Sequence, residues 1–176
     1  MNSTKSSWSD ININEYQQLL KIPDTLSPLD KTRKVLSICS GKTVSQIKKL
    51  SVSEFYALAD LCTFVNTPIP QRLHQFFTIK DIKFGIIPNL NDLTIGELYD
   101  LENFINNIPS SYSQILAILY RPVIFEDQFS YKIEEYDTNR ATSFANLFQE
   151  NLTADILNGA IVFFSTIAAI SYKPTT

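Results

Sequence analysis

The chain has little of what enzymes usually carry. Its 176 residues include one histidine, two cysteines, four glycines and one methionine. One histidine, His74, rules out a multi-histidine metal centre. As a catalytic base it would need a nucleophile and an orienting acid nearby, and the adjacent Leu73, Gln75 and Phe76 supply neither; an ordinary loop or strand-edge histidine is the expectation. With so few glycines there is no Walker loop, dinucleotide fingerprint or nucleophile elbow, and no HExxH occurs. Two cysteines are too few for a disulfide framework and form no metal-ligand pair. Cys39 and Cys62 lie in apolar-periodic segments beside Ile38 and Leu61, where buried free thiols are expected; a reducing cytoplasm during synthesis fits. No catalytic residue, cofactor site or metal site is expected.

Positive charge is also scarce. Lys and Arg number 15 against 18 Asp and Glu, giving a net charge of -3 and a pI of about 5.1. Nucleic acid as an obligate partner would need clustered cations to displace counterions, and the nearest cluster, Lys48 and Lys49 with Lys42 upstream, is short enough to be a solvated helix face. The opening MNSTKSSW is polar and has no apolar signal-peptide core. Ile156 to Ile170 is the most apolar stretch, but it is shorter than the ~20 residues of a membrane helix. Asn158, Ser165 and Thr166 interrupt it, so it predicts a buried or interface helix and no membrane span.

What the chain does have is punctuation. Six helix starts are written out: Asn12 to Glu15, Ser27-Pro28-Leu29-Asp30, Thr43 to Gln46, Ser51 to Glu54, Thr94 to Glu97 and Ser111 to Gln114. Each pairs a side-chain oxygen acceptor with an acid or amide three residues on, or with Pro at the first helical position. Apolar stripes follow them: Leu29, Val35, Leu36 and Cys39; Phe55, Leu58, Leu61, Cys62 and Val65; Leu98, Leu101, Phe104, Ile105 and Ile108; Ile115, Leu116, Ile118 and Leu119. Pro23, Gly41, Pro68 with Pro70, Pro109 and Arg121-Pro122 read as stops. Phe76–Ile79 and Ile82–Ile87 flank Lys80-Asp81 and predict a β-hairpin of open turn type. Residues 123–139 read as irregular apart from a short strand at Tyr131–Ile133. A helix over Arg140–Gln149 and a last one over Leu152–Tyr172, capped by Asn151 or Thr153, complete the pattern. The fold class is mainly α (α+β), a compact multi-helix domain with a small β-hairpin. It divides into a helical 1–70 and a 71–176 part with the hairpin and C-terminal helices, or runs as one continuous domain.

The acidic stretch Glu126, Asp127, Glu134, Glu135 and Asp137 lacks the turn glycine of a Ca²⁺ loop and reads as a solvated or partner-facing loop. The last helix is apolar nearly all round. Ile156, Ala160, Phe163 and Ile167 form one stripe, and Ile161, Phe164 and Ala168, with Tyr172 beyond, form a second. One stripe suffices for a small domain's core. The second is therefore the candidate protein interface: Ile161, Phe164, Ala168 and Tyr172. Core packing and docking both fit these residues.

The order of signals is similar to a family of small structural and assembly proteins of tailed bacteriophages, including gut and crAss-like phages. The features that carry it are Trp8-Ser9-Asp10-Ile11 with Glu15 and Tyr16; Asp30-Lys31; Val35 through Lys42; Ile47–Leu50 and the Ser51–Glu54 helix ending in Phe64-Val65; Leu93 through Leu101; Ile118-Leu119-Tyr120-Arg121-Pro122; Tyr131; and Gly159 through Phe164. The resemblance covers most of the chain. It implies a non-enzymatic neck or tail component, a ring or adaptor subunit of the virion made in the host cytoplasm. Such a subunit works with other phage structural proteins and with copies of itself. The alternative it implies is a tail assembly chaperone not retained in the particle.

Overall fold

The computed structural model describes residues 4–171, the side chains of 166–171 excepted. Eight α-helices lie in this span: α1 (Ile13–Leu20), α2 (Pro28–Ser40), α3 (Val44–Ile47), α4 (Val52–Leu61), α5 (Ile95–Ile105), α6 (Tyr112–Leu119), α7 (Thr138–Asn151) and α8 (Ala154–Ser171). Four strands, β1 (Phe76–Ile79), β2 (Ile82–Ile86), β3 (Tyr120–Glu126) and β4 (Tyr131–Ile133), form one antiparallel sheet in the order β1-β2-β3-β4. The architecture is mostly helical α+β.

Local chemistry starts most of these helices. Reciprocal capping boxes form at Asn12/Glu15, Thr43/Gln46, Ser51/Glu54 and Thr94/Glu97, each satisfying two backbone N–H groups that the first turn leaves over. Ser27 caps α2 by accepting from the Asp30 N–H, with Pro28 at the first position. Gly41 ends α2 at φ 67°, the left-handed conformation that glycine adopts without a Cβ clash. The sixth expected cap fails. Ser111 makes no side-chain cap; its hydroxyl donates to the Phe104 carbonyl of the preceding helix.

The expected hairpin is there, and Lys80 and Asp81 both have positive φ, 48° and 65°, as in the two-residue turn that matches strand twist. The sheet is larger than the sequence predicts. The chain runs from α6 straight into β3, whose Tyr120, Arg121 and Pro122 pair with Ile86, Gly85 and Phe84. The stretch expected to be irregular thus begins with a strand.

The main core lies between this sheet and α6, α7 and α8. Ile115, Leu116, Ala117, Ile118 and Leu119 are all buried, so α6 is enclosed on every side. Phe77 meets Tyr120 at a tilt of 45° with centroids 4.8 Å apart, and Phe84 meets Phe148 edge-on at 4.9 Å. Burying each such ring contributes about 1.5–3 kcal/mol. A second cluster holds Trp8, Ile11, Leu36, Cys39, Ile47, Leu58 and Cys62 from the first seventy residues. The two clusters interlock: Ala154 of α8 joins the second, and Ile13 of α1 joins the first. The Ile13 N–H donates to Leu152 O at 2.9 Å and the Ala154 N–H to Ile11 O at 2.8 Å, pairing the chain's start with the α7–α8 junction.

Candidate functional site

Both stripes of α8 meet the chain's own core. Ile156 and Phe163 of the first, and Ile161 and Phe164 of the second, pack half-buried against the main cluster, while Ala160 is fully buried. The side chain of Ala168, and Tyr172 altogether, lie outside the described residues. A strap also crosses the start of the helix. Asn158 Nδ2 donates to the carbonyls of Ile69 and Pro70, at 3.2 and 3.1 Å. Gly159 is buried so closely beneath the strap that a Cβ there would fall 2.0 Å from Arg72 O. Among the described residues no helix is long and apolar enough to cross a membrane.

An exposed apolar helix face lies on α5, as another does on α4 at Val52, Tyr56 and Leu61. The buried side of α5 is Glu97, Leu101 and half-buried Phe104. On the opposite side stand Ile95, 81% exposed, and Tyr99, 65% exposed, at positions i and i+4, with Leu98 and Ile105 part-covered on the flank beside Leu101. The expected inward stripe of α5 is thus corrected: Leu98 and Ile105, and Ile108 beyond the end of the helix, are only partly covered. Leu29 of α2 and Leu61 of α4, also expected inside, are exposed as well. The tip of the β3–β4 hairpin presents Phe129, 91% exposed.

A buried ion pair fixes the orientation of α5. Arg121 of β3 brings Nη1 to 2.8 Å from Glu97 Oε1. The alignment falls short of a hydrogen bond, so Glu97 Oε1 and Arg121 Nε have no hydrogen-bond partner among the described residues. The other Glu97 oxygen accepts the Thr94 N–H at 2.6 Å. Burial lowers the pKa of Arg121 and the adjacent Glu97 opposes that shift. Nearby, Tyr136 donates its hydroxyl to Asp100 at 2.8 Å; burial and that carboxylate push its pKa up to about 12.

The acidic stretch is taken up by local structure. Glu126 pairs with Lys83, Glu134 with Arg140, and Asp137 caps α7. The Asp127 carboxylate accepts the N–H groups of Phe129 and Ser130, which hold its pKa below the ordinary range. His74 sits half-buried ahead of β1, and its carbonyl accepts the Tyr120 hydroxyl at 2.6 Å. Among the described residues no group of three His, Cys, Asp or Glu is placed to hold a metal.

A cleft of about 650 Å³ opens between α1, α2 and the end of α4, lined by Trp8, Tyr16, Leu19, Val35, Cys62 and Val65 among others. Trp8 is fixed by its indole N–H, which donates to Thr67 O at 3.1 Å, and by edge-on contacts with Tyr16 and Phe64. Cys62 in the cleft wall and Cys39 behind it are buried free thiols, as expected, in one apolar cluster. The neighbouring Cys62 and burial push the Cys39 pKa up; the neighbouring Cys39 lowers that of Cys62, against its burial.

Comparison of the chain with protein-family models, with curated proteins and with solved structures gives no match.

Proposed function

We propose that this chain is a non-enzymatic structural subunit of a tailed-bacteriophage neck or tail, a ring or adaptor component that acts through protein–protein contacts. The assignment to phage rests on the ordered series of sequence features from Trp8 to Phe164. The observation that carries the interaction role is the outer face of α5. A helix that buries one side against its own core and turns Ile95 and Tyr99 to solvent, with the part-covered Leu98 and Ile105 beside them, leaves apolar area for a partner to cover, and a tyrosine at its centre suits an interface. In a closed ring each copy repeats the contact, so a modest area per subunit suffices.

Quantitative mass spectrometry of purified particles tests the assignment. A ring or adaptor subunit is present in stoichiometric amounts. Presence in lysate with absence from particles supports the assembly chaperone, and absence from both refutes a phage role. Tyr99→Asp tests the surface. The side chain is exposed, so the monomer should keep its helicity and stability within about 0.5 kcal/mol, while incorporation or self-association is lost. Unchanged assembly of this variant by light scattering would move the interface away from α5.

A further inference from the structure

The tip of the β3–β4 hairpin holds one aromatic ring in solvent. The Asp127 carboxylate folds over the turn and accepts the N–H groups of Phe129 and Ser130, at 2.8 and 2.7 Å, and the Ser130 hydroxyl at 3.2 Å. A side-chain closure of this kind fixes the turn before any partner arrives, so a partner that covers Phe129 orders little else. The ring is almost wholly exposed, and the exposed acids Glu126 and Asp127 lie just ahead of it.

A hollow that fits the ring lies on the helices of the first seventy residues. It encloses about 270 Å³ between the end of α1, α2 and the start of α3; about 150 Å³ suffices for a benzene-sized guest. Its apolar wall is Ile22, Ile38 and Val44, half-buried residues that belong to neither core cluster. Lys21 and Lys34 stand on its rim, exposed, and neither forms an ion pair among the described residues. Phe129 does not fill this hollow in its own chain. Beside it stand Gln75, Phe76 and Pro88, and none of these lines the hollow. The charge of the whole chain divides in the same sense. Residues 1–70 carry eight Lys and Arg against six Asp and Glu, a net +2, and residues 71–176 carry seven against twelve, a net -5. The acidic part of one copy is therefore drawn to the basic part of another.

We infer that two copies of this chain join head to tail, with Phe129 at the hairpin tip of one seated between α1 and α2 of the next. The ring fills the apolar hollow as the anchor, and Lys21 and Lys34 face Glu126 and Asp127 around it. The two patches differ, so each copy in a pair keeps one of them open, and further copies close a ring or extend a row. A ring is what the proposed function calls for, but the contact itself does not rest on that reading.

The experiment follows the full chain by size-exclusion chromatography with light scattering over a concentration series, at low and high salt. The mass should rise with concentration to a multiple of the monomer, and high salt should weaken the association because the facing charges are exposed. Phe129→Asp should weaken it by at least about 30-fold, and Lys21→Glu combined with Lys34→Glu by about 10-fold or more. All three positions are exposed, so far-UV dichroism of both variants should match wild type. The deciding sample is an equimolar mixture of the two variants. Each keeps the patch that the other lacks, so head-to-tail docking gives heterodimers that grow no further. A chain that stays monomeric at every concentration overturns the inference and leaves the hairpin tip to a different protein. Association that survives the lysine reversals overturns it too, as does a mixture without heterodimers, the result when Phe129 of one copy packs on Phe129 of another. Loss of association in Tyr99→Asp but not in Phe129→Asp refutes the hairpin contact alone. Heterodimers in the mixture combined with no chain in particles refute the virion assignment alone.

Discussion

Gly159 offers a test of how tightly the segment around residue 70 is bound to α8. Nothing in its backbone calls for glycine: it lies in the second turn of a regular helix and its φ is not positive. An alanine there would gain about 1 kcal/mol of helix propensity. Yet a Cβ would sit 2.0 Å from Arg72 O, 2.7 Å from Arg72 C and 3.2 Å from Leu73 N. The obstacle is backbone, which cannot swing aside as a side-chain tip does. The strap would have to retreat by more than about 1 Å to restore normal contact distances. It is held by the two Asn158 hydrogen bonds and, a few residues on, by the Tyr120 hydroxyl on the His74 carbonyl. Overpacking costs about 1–3 kcal/mol, and loosening each hydrogen bond about 0.5–1.5 kcal/mol more. Set against the propensity gain and counting the two Asn158 bonds, Gly159→Ala should destabilise the chain by about 1–5 kcal/mol. Urea unfolding followed by far-UV dichroism reads this as a lower midpoint at unchanged slope. Gly96→Ala is the control. Its nearest heavy atom is Thr94 Oγ1 at 3.9 Å, so the same substitution in open space should be neutral or stabilise by up to about 1 kcal/mol. If Gly159→Ala matches wild type or exceeds it, the strap does not lie on α8 as described.

Ser27→Ala removes the oxygen that accepts the Asp30 N–H and should lower stability by about 0.5–2 kcal/mol in the same assay; a neutral result would mean the start of α2 is set by Pro28 alone. Arg121→Met strands the Glu97 carboxylate in the core and should destabilise by about 3–5 kcal/mol, while Arg121→Met combined with Glu97→Gln should recover much of that loss; equal damage in single and double variants would show that the charge on Glu97 is not what matters. Acid should weaken the fold through Asp10, whose carboxylate accepts first the Ser6 N–H and then those of Ser7 and both hydroxyls, lowering its pKa below the ordinary 3.8. A depressed native pKa contributes stability that is present above 3.8 and lost as pH falls through the native value. Wild type should therefore lose more stability than Asp10→Asn over that acid range, and parallel pH profiles would refute the assignment.

The helix starts were legible because their chemistry spans four residues. Asn12 with Glu15, or Thr94 with Glu97, needs no distant partner to form its box. Ser111 carries the same local signal and fails, because the Phe104 carbonyl takes its hydroxyl. That partner belongs to the preceding helix and no four-residue window contains it. Strand β3 was hidden for a related reason. Tyr120-Arg121-Pro122 follows an apolar helix without a spacer, and proline lowers strand propensity. Pairing with Phe84, Gly85 and Ile86 decides the matter, and those residues lie more than thirty positions upstream. The buried thiols were legible one at a time from their apolar neighbours; their place in one cluster depends on how α2 and α4 pack.

The outer face of α5 shows why apolar periodicity alone misplaces an interaction surface. The helix is apolar at Ile95, Leu98, Tyr99, Leu101, Phe104 and Ile105, enough for two faces, and hydrophobicity does not say which one turns inward. Glu97 decides, and it does so against its own solvation preference. Its carboxylate is buried because Arg121 is already fixed in the sheet opposite Gly85 and the Thr94 N–H donates to its other oxygen. Turning α5 to bury Tyr99 would carry Glu97 into solvent and leave Arg121, a residue only 9% exposed, without a counter-charge. An unpaired buried cation costs more than covering one tyrosine returns. The ion pair thus settles the rotation of the helix, and the apolar residues it turns outward, Ile95 and Tyr99 with the part-covered Leu98 and Ile105 beside them, are those left for a partner to bury.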